Sequence, residues 1–221
     1  MRKTLTSFLI CLVIFSCGQK KSNAIQTTTA GKDIKALLQE SIPLITDSSK
    51  IKRFIMIVAP RAFRDEEFKI PYEFLTNIGH KIRIASRDTV LATGVFGLAL
   101  KPQLTIKQID TLKYDGVILV GGAGAAIYWD DTIVHQIARY FARTPGKIVS
   151  AICIAPVTLA RAGVLAGKKA TVYEDKETIA ELKNNGAEYI KAEVVVSGNV
   201  ITAAGPTDAL KFAKAIALSV K

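Results

Sequence analysis

The sequence predicts one α/β domain, a three-layer sandwich in which helices flank a mostly parallel central sheet, and three observations predict it. Strand-like apolar runs recur at Phe54-Ile55-Met56-Ile57-Val58, Lys81 to Ala85, Gly116 to Val120 and Ile148 to Ile152. A run such as Phe54 to Val58, apolar at every position, belongs to a strand buried on both faces; a half-exposed strand would alternate. Each run sits next to a helical or loop segment, so strands and helices alternate along the chain, as in βα units. Finally, 221 residues at 49% hydrophobic composition suffice for one such domain with a short appendage, and not for two full domains.

The chain opens with Arg2 and Lys3, an apolar run from Leu5 to Phe15, and the small Ser16 before Cys17. This is the layout of a leader, too short to span a bilayer. Ile14-Phe15-Ser16-Cys17-Gly18 has the form of a lipobox, so residues 1–17 are expected to be a lipoprotein signal peptide, with Cys17 acylated as the first residue of the mature protein. A lipid on Cys17 would tie the protein to a membrane of the bacterial cell envelope, on its periplasmic or outer-membrane face. Residues 18–50 are polar and Thr/Ser/Lys-rich, and read as a tether carrying a short amphipathic helix, Asp33 to Ile45, with Ile34, Leu37, Leu38 and Ile42 on one side. A flexible tether of about thirty residues reaches roughly 30 Å.

The folded domain spans residues 51–221. Glu66 to Asn77 reads as a helix ended by Gly79, with Pro71 expected in its first turns, and Asp131 to Arg143 as a helix capped by Asp130 or Asp131. Lys176 to Asn185 is a third, ending at Gly186. Glu193 to Ser197 and Val200 to Ala203 flank the turn Gly198-Asn199, a hairpin signal, and Asp208 to Val220 forms a terminal helix after Pro206.

Cysteine usage narrows the chemistry. Cys11 leaves with the leader and Cys17 carries lipid, so Cys153 alone remains in the folded part and no disulfide is available there. A lone thiol is then either an inert buried group or a reactive one. The formal charge of +11 falls to +9 without Arg2 and Lys3, and the basic residues are spread out. Nucleic acid is therefore not an expected partner; anionic headgroups near the anchor fit the charge better, beside the plainer reading of a solvated basic surface.

Ile148-Val149-Ser150-Ala151-Ile152-Cys153-Ile154-Ala155-Pro156 runs a buried strand straight into a cysteine and a helix-compatible segment. Small residues two before and two after, Ala151 and Ala155, match the spacing of a nucleophile elbow, where a tight turn holds the nucleophile in a strained conformation. A helix N-terminus following the turn predicts a lowered thiol pKa. Upstream, Val117 to Val120 leads into Gly121-Gly122-Ala123-Gly124, whose backbone N–H groups are candidate oxyanion donors together with that of Ile154. The loop lacks the Lys-Ser/Thr of a P-loop and the spacing of a dinucleotide fingerprint, so no cofactor is expected, and no His/Cys/Asp/Glu spacing suggests a metal.

From Lys52 to Val220 these motifs, in this order, resemble the DJ-1/PfpI superfamily of the class I glutamine-amidotransferase-like, flavodoxin-like fold. The resemblance rests on Asp65-Glu66-Glu67-Phe68-Lys69-Ile70-Pro71, the Tyr114-Asp115-Gly116 strand with its Gly-Gly loop, Ala151-Ile152-Cys153, and Val200-Ile201-Thr202-Ala203-Ala204-Gly205-Pro206. It implies that Glu67 lies beside the Cys153 sulfur as a proton carrier, and that the protein is a homodimer. It also implies thiol chemistry on reactive carbonyls or their adducts, of the deglycase or glyoxalase type, with small-molecule carbonyls or modified proteins as substrates. A redox sensor or holding chaperone working through oxidation of Cys153 is the alternative. A cysteine peptidase is disfavoured, because Ile154 stands where the PfpI-like proteases have a histidine. Tyr173 occupies the place of another family histidine and Trp129 lies near the glycine loop; both, together with His135, are candidate substrate-lining residues. For Trp129 a subunit contact or plain packing are alternatives. Only His80 and His135 could supply an imidazole, and each reads more simply as a surface or packing residue.

Overall fold

The computed structural model describes residues 43–220, and the expectations for the leader, Cys17 and the Asp33 to Ile42 part of the amphipathic helix lie outside them. In chain order the strands are β1 (Arg53–Ile57), β2 (Arg61–Phe63), β3 (Lys81–Ser86), β4 (Ala92–Gly94), β5 (Ala99–Leu100), β6 (Leu104–Thr105), β7 (Gly116–Leu119), β8 (Ile148–Ile152), β9 (Lys169–Ala170), β10 (Glu188–Tyr189), β11 (Val194–Ser197) and β12 (Val200–Ala203). The α-helices are α1 (Asp65–Asn77), α2 (Thr132–Arg143), α3 (Pro156–Arg161), α4 (Lys176–Asn184) and α5 (Ala209–Ser219).

Phe54, Ile55, Met56 and Ile57 are each at most 1% exposed, so β1 is covered on both faces. It lies between β7 and β3 in the interior of a seven-stranded sheet of order β11-β12-β8-β7-β1-β3-β6, parallel throughout except for β11, which pairs antiparallel with β12 through the Gly198-Asn199 turn. The expected mostly parallel sheet is thus the observed one. α1 packs on α5, and α5 on β8, β11 and β12, while α2, α3 and α4 pack in series with α2 and α3 against β8. These two helix groups are the outer layers. Two helices begin on side-chain caps: Asp131 accepts from the N–H groups of Ile133 and Val134, and Asp175 accepts from that of Thr178.

Strand order reverses beside β1: the chain passes from β1 to β3 and β6 on one side, then returns to β7 on the other. Parallel sheets leave a crevice at the carboxyl ends of the strands where such a reversal occurs. Cys153 and Gly121 sit at that edge, following β8 and β7, and α1 carries Glu67 back from the same edge of β1.

Pro71 is the seventh residue of α1, in its second turn, within the first turns as expected. Lacking an N–H, it leaves without its helical donor the carbonyl four residues earlier, that of Glu67. Other local expectations change. A second sheet, β2-β4-β5, was not visible in the sequence, since strands of two or three residues carry no periodicity. Asp65 ties it to α1, its carboxylate accepting from the N–H groups of Phe96 (3.0 Å) and Leu98 (2.8 Å). Residues 43–47 are not helical, and the Ile45 N–H donates to the Ile78 carbonyl (2.9 Å), so the end of the expected tether lies on the domain.

The glycine loop after β7 is crossed at close range by the segment Arg61 to Arg64. A Cβ on Gly124 would collide with the Arg61 carbonyl oxygen, and one on Gly122, whose φ is +93°, would meet the Arg64 nitrogen and the Ala62 carbonyl oxygen (2.6 Å). Backbone on backbone cannot yield as a flexible side chain can. Gly124→Ala is therefore expected to cost about 2–3 kcal/mol in urea unfolding. Gly163→Ala, with φ of +72° but nothing within 4 Å of its Cβ, should cost only about 1 kcal/mol, for the left-handed backbone alone. Equal losses in the two variants would contradict the close-packing account.

Candidate active site around Cys153

The five residues of β8 are all buried, and the chain then turns sharply at Cys153, whose φ is +63°. Among the described residues only Ala62 shares a positive φ without being glycine. For an L-residue this conformation costs about 1–2 kcal/mol. Neighbouring backbone holds it: the Cys153 N–H donates to the Ala203 carbonyl (2.9 Å), and its carbonyl accepts from the Tyr173 N–H (2.9 Å). Because the two ends of a peptide unit point opposite ways, gripping the Cys153 carbonyl directs the Ile154 N–H back toward the sulfur. The Gly122 N–H also faces the sulfur. Ala151 and Ala155 are almost wholly buried, leaving the turn no room for larger side chains.

Glu67, the third residue of α1, is 0% exposed, and neither carboxyl oxygen completes a hydrogen bond with a described residue. The Cys153 thiol and the Gly121 N–H lie toward it. Only glycine fits at 121, since a Cβ there would press on Glu67 Oε2 and lie 2.6 Å from the Cys153 Cβ. Burial pushes the carboxyl up to about 8; the thiol, the Arg64 charge and the Gly121 N–H pull the other way without prevailing.

The thiol is pushed up to about 12, first by burial and then by the Glu67 charge, against the pull of the Gly122 and Ile154 N–H groups. The expectation of a lowered thiol pKa is therefore corrected. Helix α3 has only six residues, and its partial charge does not offset the removal of a thiolate from water next to a carboxylate. The two groups titrate as one pair: it holds two protons below about pH 8 and one above.

The remaining sequence candidates separate. Gly122 and Ile154 direct N–H groups at the sulfur, whereas the Gly121 N–H faces Glu67 and the Gly121 carbonyl accepts from the Arg64 N–H (3.0 Å). Tyr173 touches Cys153 through its backbone only, its side chain being 47% exposed. Trp129 donates its indole N–H to the Ile154 carbonyl (3.2 Å). The His135 ring meets the Trp129 carbonyl through Nε2 (2.7 Å), and the His80 Nδ1 accepts from the Lys52 N–H (3.1 Å) at the amino end of β3. Both imidazoles are thus engaged away from the thiol. Arg64, paired with Glu66 at 2.9 Å, and Arg161, which stacks over Trp129, were not singled out from the sequence; neither stands in a local pattern that marks it.

A profile of the DJ-1/PfpI family matches residues 52–218. The chain is 40% identical over 167 residues to an uncharacterized protein of Methanocaldococcus jannaschii, covering 75% of this chain and 81% of that one. It is 34% identical over 155 residues to deglycase PfpI of Pyrococcus furiosus, covering 70% of this chain and 91% of the deglycase. Among solved structures, a ThiJ/PfpI domain protein of Brachyspira murdochii superposes with a TM-score of 0.73 at 28% identity, over 76% of this chain and 96% of that one. With a parallel sheet that ends in a strained cysteine and a family profile matching nearly the whole domain, this chain belongs to the DJ-1/PfpI family.

Proposed function

We propose that the domain is a thiol-dependent enzyme acting on reactive carbonyls or their adducts, of the deglycase or glyoxalase type, with Cys153 as nucleophile and Glu67 as proton carrier. The observation that carries this reading is the buried Glu67 carboxyl, without a completed hydrogen bond, facing a thiol that two backbone N–H groups also address. Likeness to a deglycase supports the substrate class.

In the one-proton state of the pair the proton rests on sulfur and Glu67 is a carboxylate; transfer of that proton to Glu67 as the substrate approaches gives a thiolate held by the Gly122 and Ile154 N–H groups. The thiolate adds to the carbonyl carbon, a C–S bond forms, and the C=O π electrons move to oxygen. That oxygen takes the proton from Glu67, which is left as a carboxylate able to act as base. The same N–H groups lie within reach of the developing oxyanion. With methylglyoxal, the Glu67 carboxylate moves a proton from the carbon bearing sulfur to its neighbour while the hydroxyl proton passes to the neighbouring oxygen, giving a lactoyl thioester. Water then cleaves the thioester, so the net reaction adds one water and needs no outside oxidant. Two N–H donors and a neutral carboxyl would also hold a sulfinate on Cys153, which is the ground for the sensor alternative. A peptidase lacks its imidazole, since both described histidines are engaged elsewhere.

The domain freed of residues 1–42 should convert methylglyoxal to lactate, and Cys153→Ser should abolish the conversion; equal rates in the two proteins would remove the mechanism. For native protein, kcat/KM should rise with pH and level off above about pH 8, as the pair loses its first proton. Glu67→Gln should lower kcat/KM by about 10²–10⁴-fold.

The same carboxyl affects stability in a direction set by its shift. A pKa raised from 4.5 to about 8 means that the folded state binds the proton more tightly. Stability from the neutral carboxyl is therefore full below about pH 4.5 and is lost as pH rises toward 8. Glu67→Gln, neutral at every pH, should melt above the native protein at pH 8, with a gap that closes toward pH 5. Parallel melting curves across that range would refute the raised carboxyl.

We further propose envelope anchoring through Cys17, supported by the lipobox pattern. Cells expressing the full chain should incorporate labelled palmitate, and Cys17→Ser should abolish the label; label that survives the substitution rules the anchor out.

A further inference from the structure

We propose that Trp129 is a positioning residue for Cys153, its indole N–H clamping the Ile154 carbonyl so that the Ile154 N–H stays aimed at the sulfur. The inference rests on Cys153 being the reactive group, as proposed above, but not on which carbonyl it attacks. Two grips fix the residue after the cysteine. The Tyr173 N–H holds the carbonyl on its amino side, that of Cys153, at 2.9 Å, while Trp129 Nε1 holds the carbonyl on its carboxyl side, that of Ile154, at 3.2 Å. With both peptide units held, Ile154 cannot rotate to relieve the positive φ next to it. If the indole N–H is removed, the Ile154 carbonyl keeps only the Val157 N–H at 3.2 Å, a bond within the first turn of the short helix itself.

Trp129 is in turn held from two sides. Its carbonyl meets His135 Nε2 at 2.7 Å, and the Arg161 guanidinium lies 5.2 Å from its ring. Arg161 is fixed by a forked pair with Glu181 (2.9 and 2.7 Å) and by Asp130 (2.8 Å). Forked guanidinium–carboxylate pairs fix orientation as well as charge, and a cation over an indole face adds attraction. α4, through Glu181, is thereby linked to the elbow by way of Arg161 and Trp129. A tryptophan serving only to cover the core would not need its half-buried ring aligned in this way. Charged and titratable groups facing the two ends are Glu67, Arg64 and Glu66 at the thiol, and Arg161, Asp130 and His135 at the indole.

Trp129 is the only tryptophan in the chain, so its fluorescence reports on the clamp without a label. In the native protein, emission should change in one step with pH, at the midpoint of the iodoacetamide alkylation profile of Cys153, and Cys153→Ser should abolish the step. Trp129→Phe keeps an aromatic ring able to stack on Arg161 but lacks the N–H. It should slow alkylation at pH 7.5 about five- to tenfold, the worth of one neutral hydrogen bond, and move the alkylation midpoint upward. A variant with an unchanged alkylation profile, or a fluorescence step that persists in Cys153→Ser, overturns the clamp. If Trp129→Phe does not fold, the native fluorescence titration decides, and a flat trace overturns the clamp. Absence of alkylation of the native protein at every pH removes the reactive-thiol reading, and this inference with it, whereas a normal native profile matched by the Phe variant removes only the clamp.

Discussion

The Glu67 carboxyl, fully buried against the Cys153 thiol, is the constraint around which the rest of the site is arranged. A carboxyl in that position disfavours its own charge and that of its neighbour, so the pair gives up one proton near pH 8 and holds the other far more tightly. Two acids that interact this strongly behave as a single proton store. The cost falls on folding, because burying a carboxyl without a completed hydrogen bond is unfavourable. The rest of the domain must supply the stability that this pair withholds.

Bringing the pair together requires unusually close backbone approach. Glu67 hangs from α1, which begins directly after the segment Arg61 to Arg64, and that segment lies on the glycine loop with no space for side chains between them. Gly121 makes room for the carboxyl itself, while Gly122 and Gly124 make room for the passing chain. Asp65, holding the β4–β5 hairpin through two N–H groups, fixes the start of α1 from the other side. The glycines thus serve the placement of Glu67 as much as they free backbone N–H groups to face the sulfur.

The elbow is stabilised in the same way, by groups from distant parts of the chain in addition to the first turn of the helix that follows. Ala203 on β12, Tyr173 in the loop after β9 and Trp129 after the glycine loop each contribute one hydrogen bond to Cys153 or Ile154. A strained residue persists only where its surroundings over-determine it. These contacts come from three separate parts of the chain.

The order of strands and helices was legible from the sequence because apolar runs and turn residues are local signals, and the bounds of β8 and β12 agree with the observed ones residue for residue. The small residues around Cys153 marked the elbow for the same reason: a tight turn imposes its demand on immediate neighbours. Glu67 was legible only through resemblance to a family, since nothing in its own stretch sets it apart from Glu66. The β2-β4-β5 sheet, the grip of Trp129 on Ile154 and the direction of the thiol shift were decided by tertiary structure. Each depends on groups brought together across the fold: Trp129 and Ile154 are 25 residues apart, and the thiol is governed by its burial and by a carboxyl on another helix. Sequence determines which groups can react; the packing of distant segments determines how much water and charge surround them, and therefore where their protons reside.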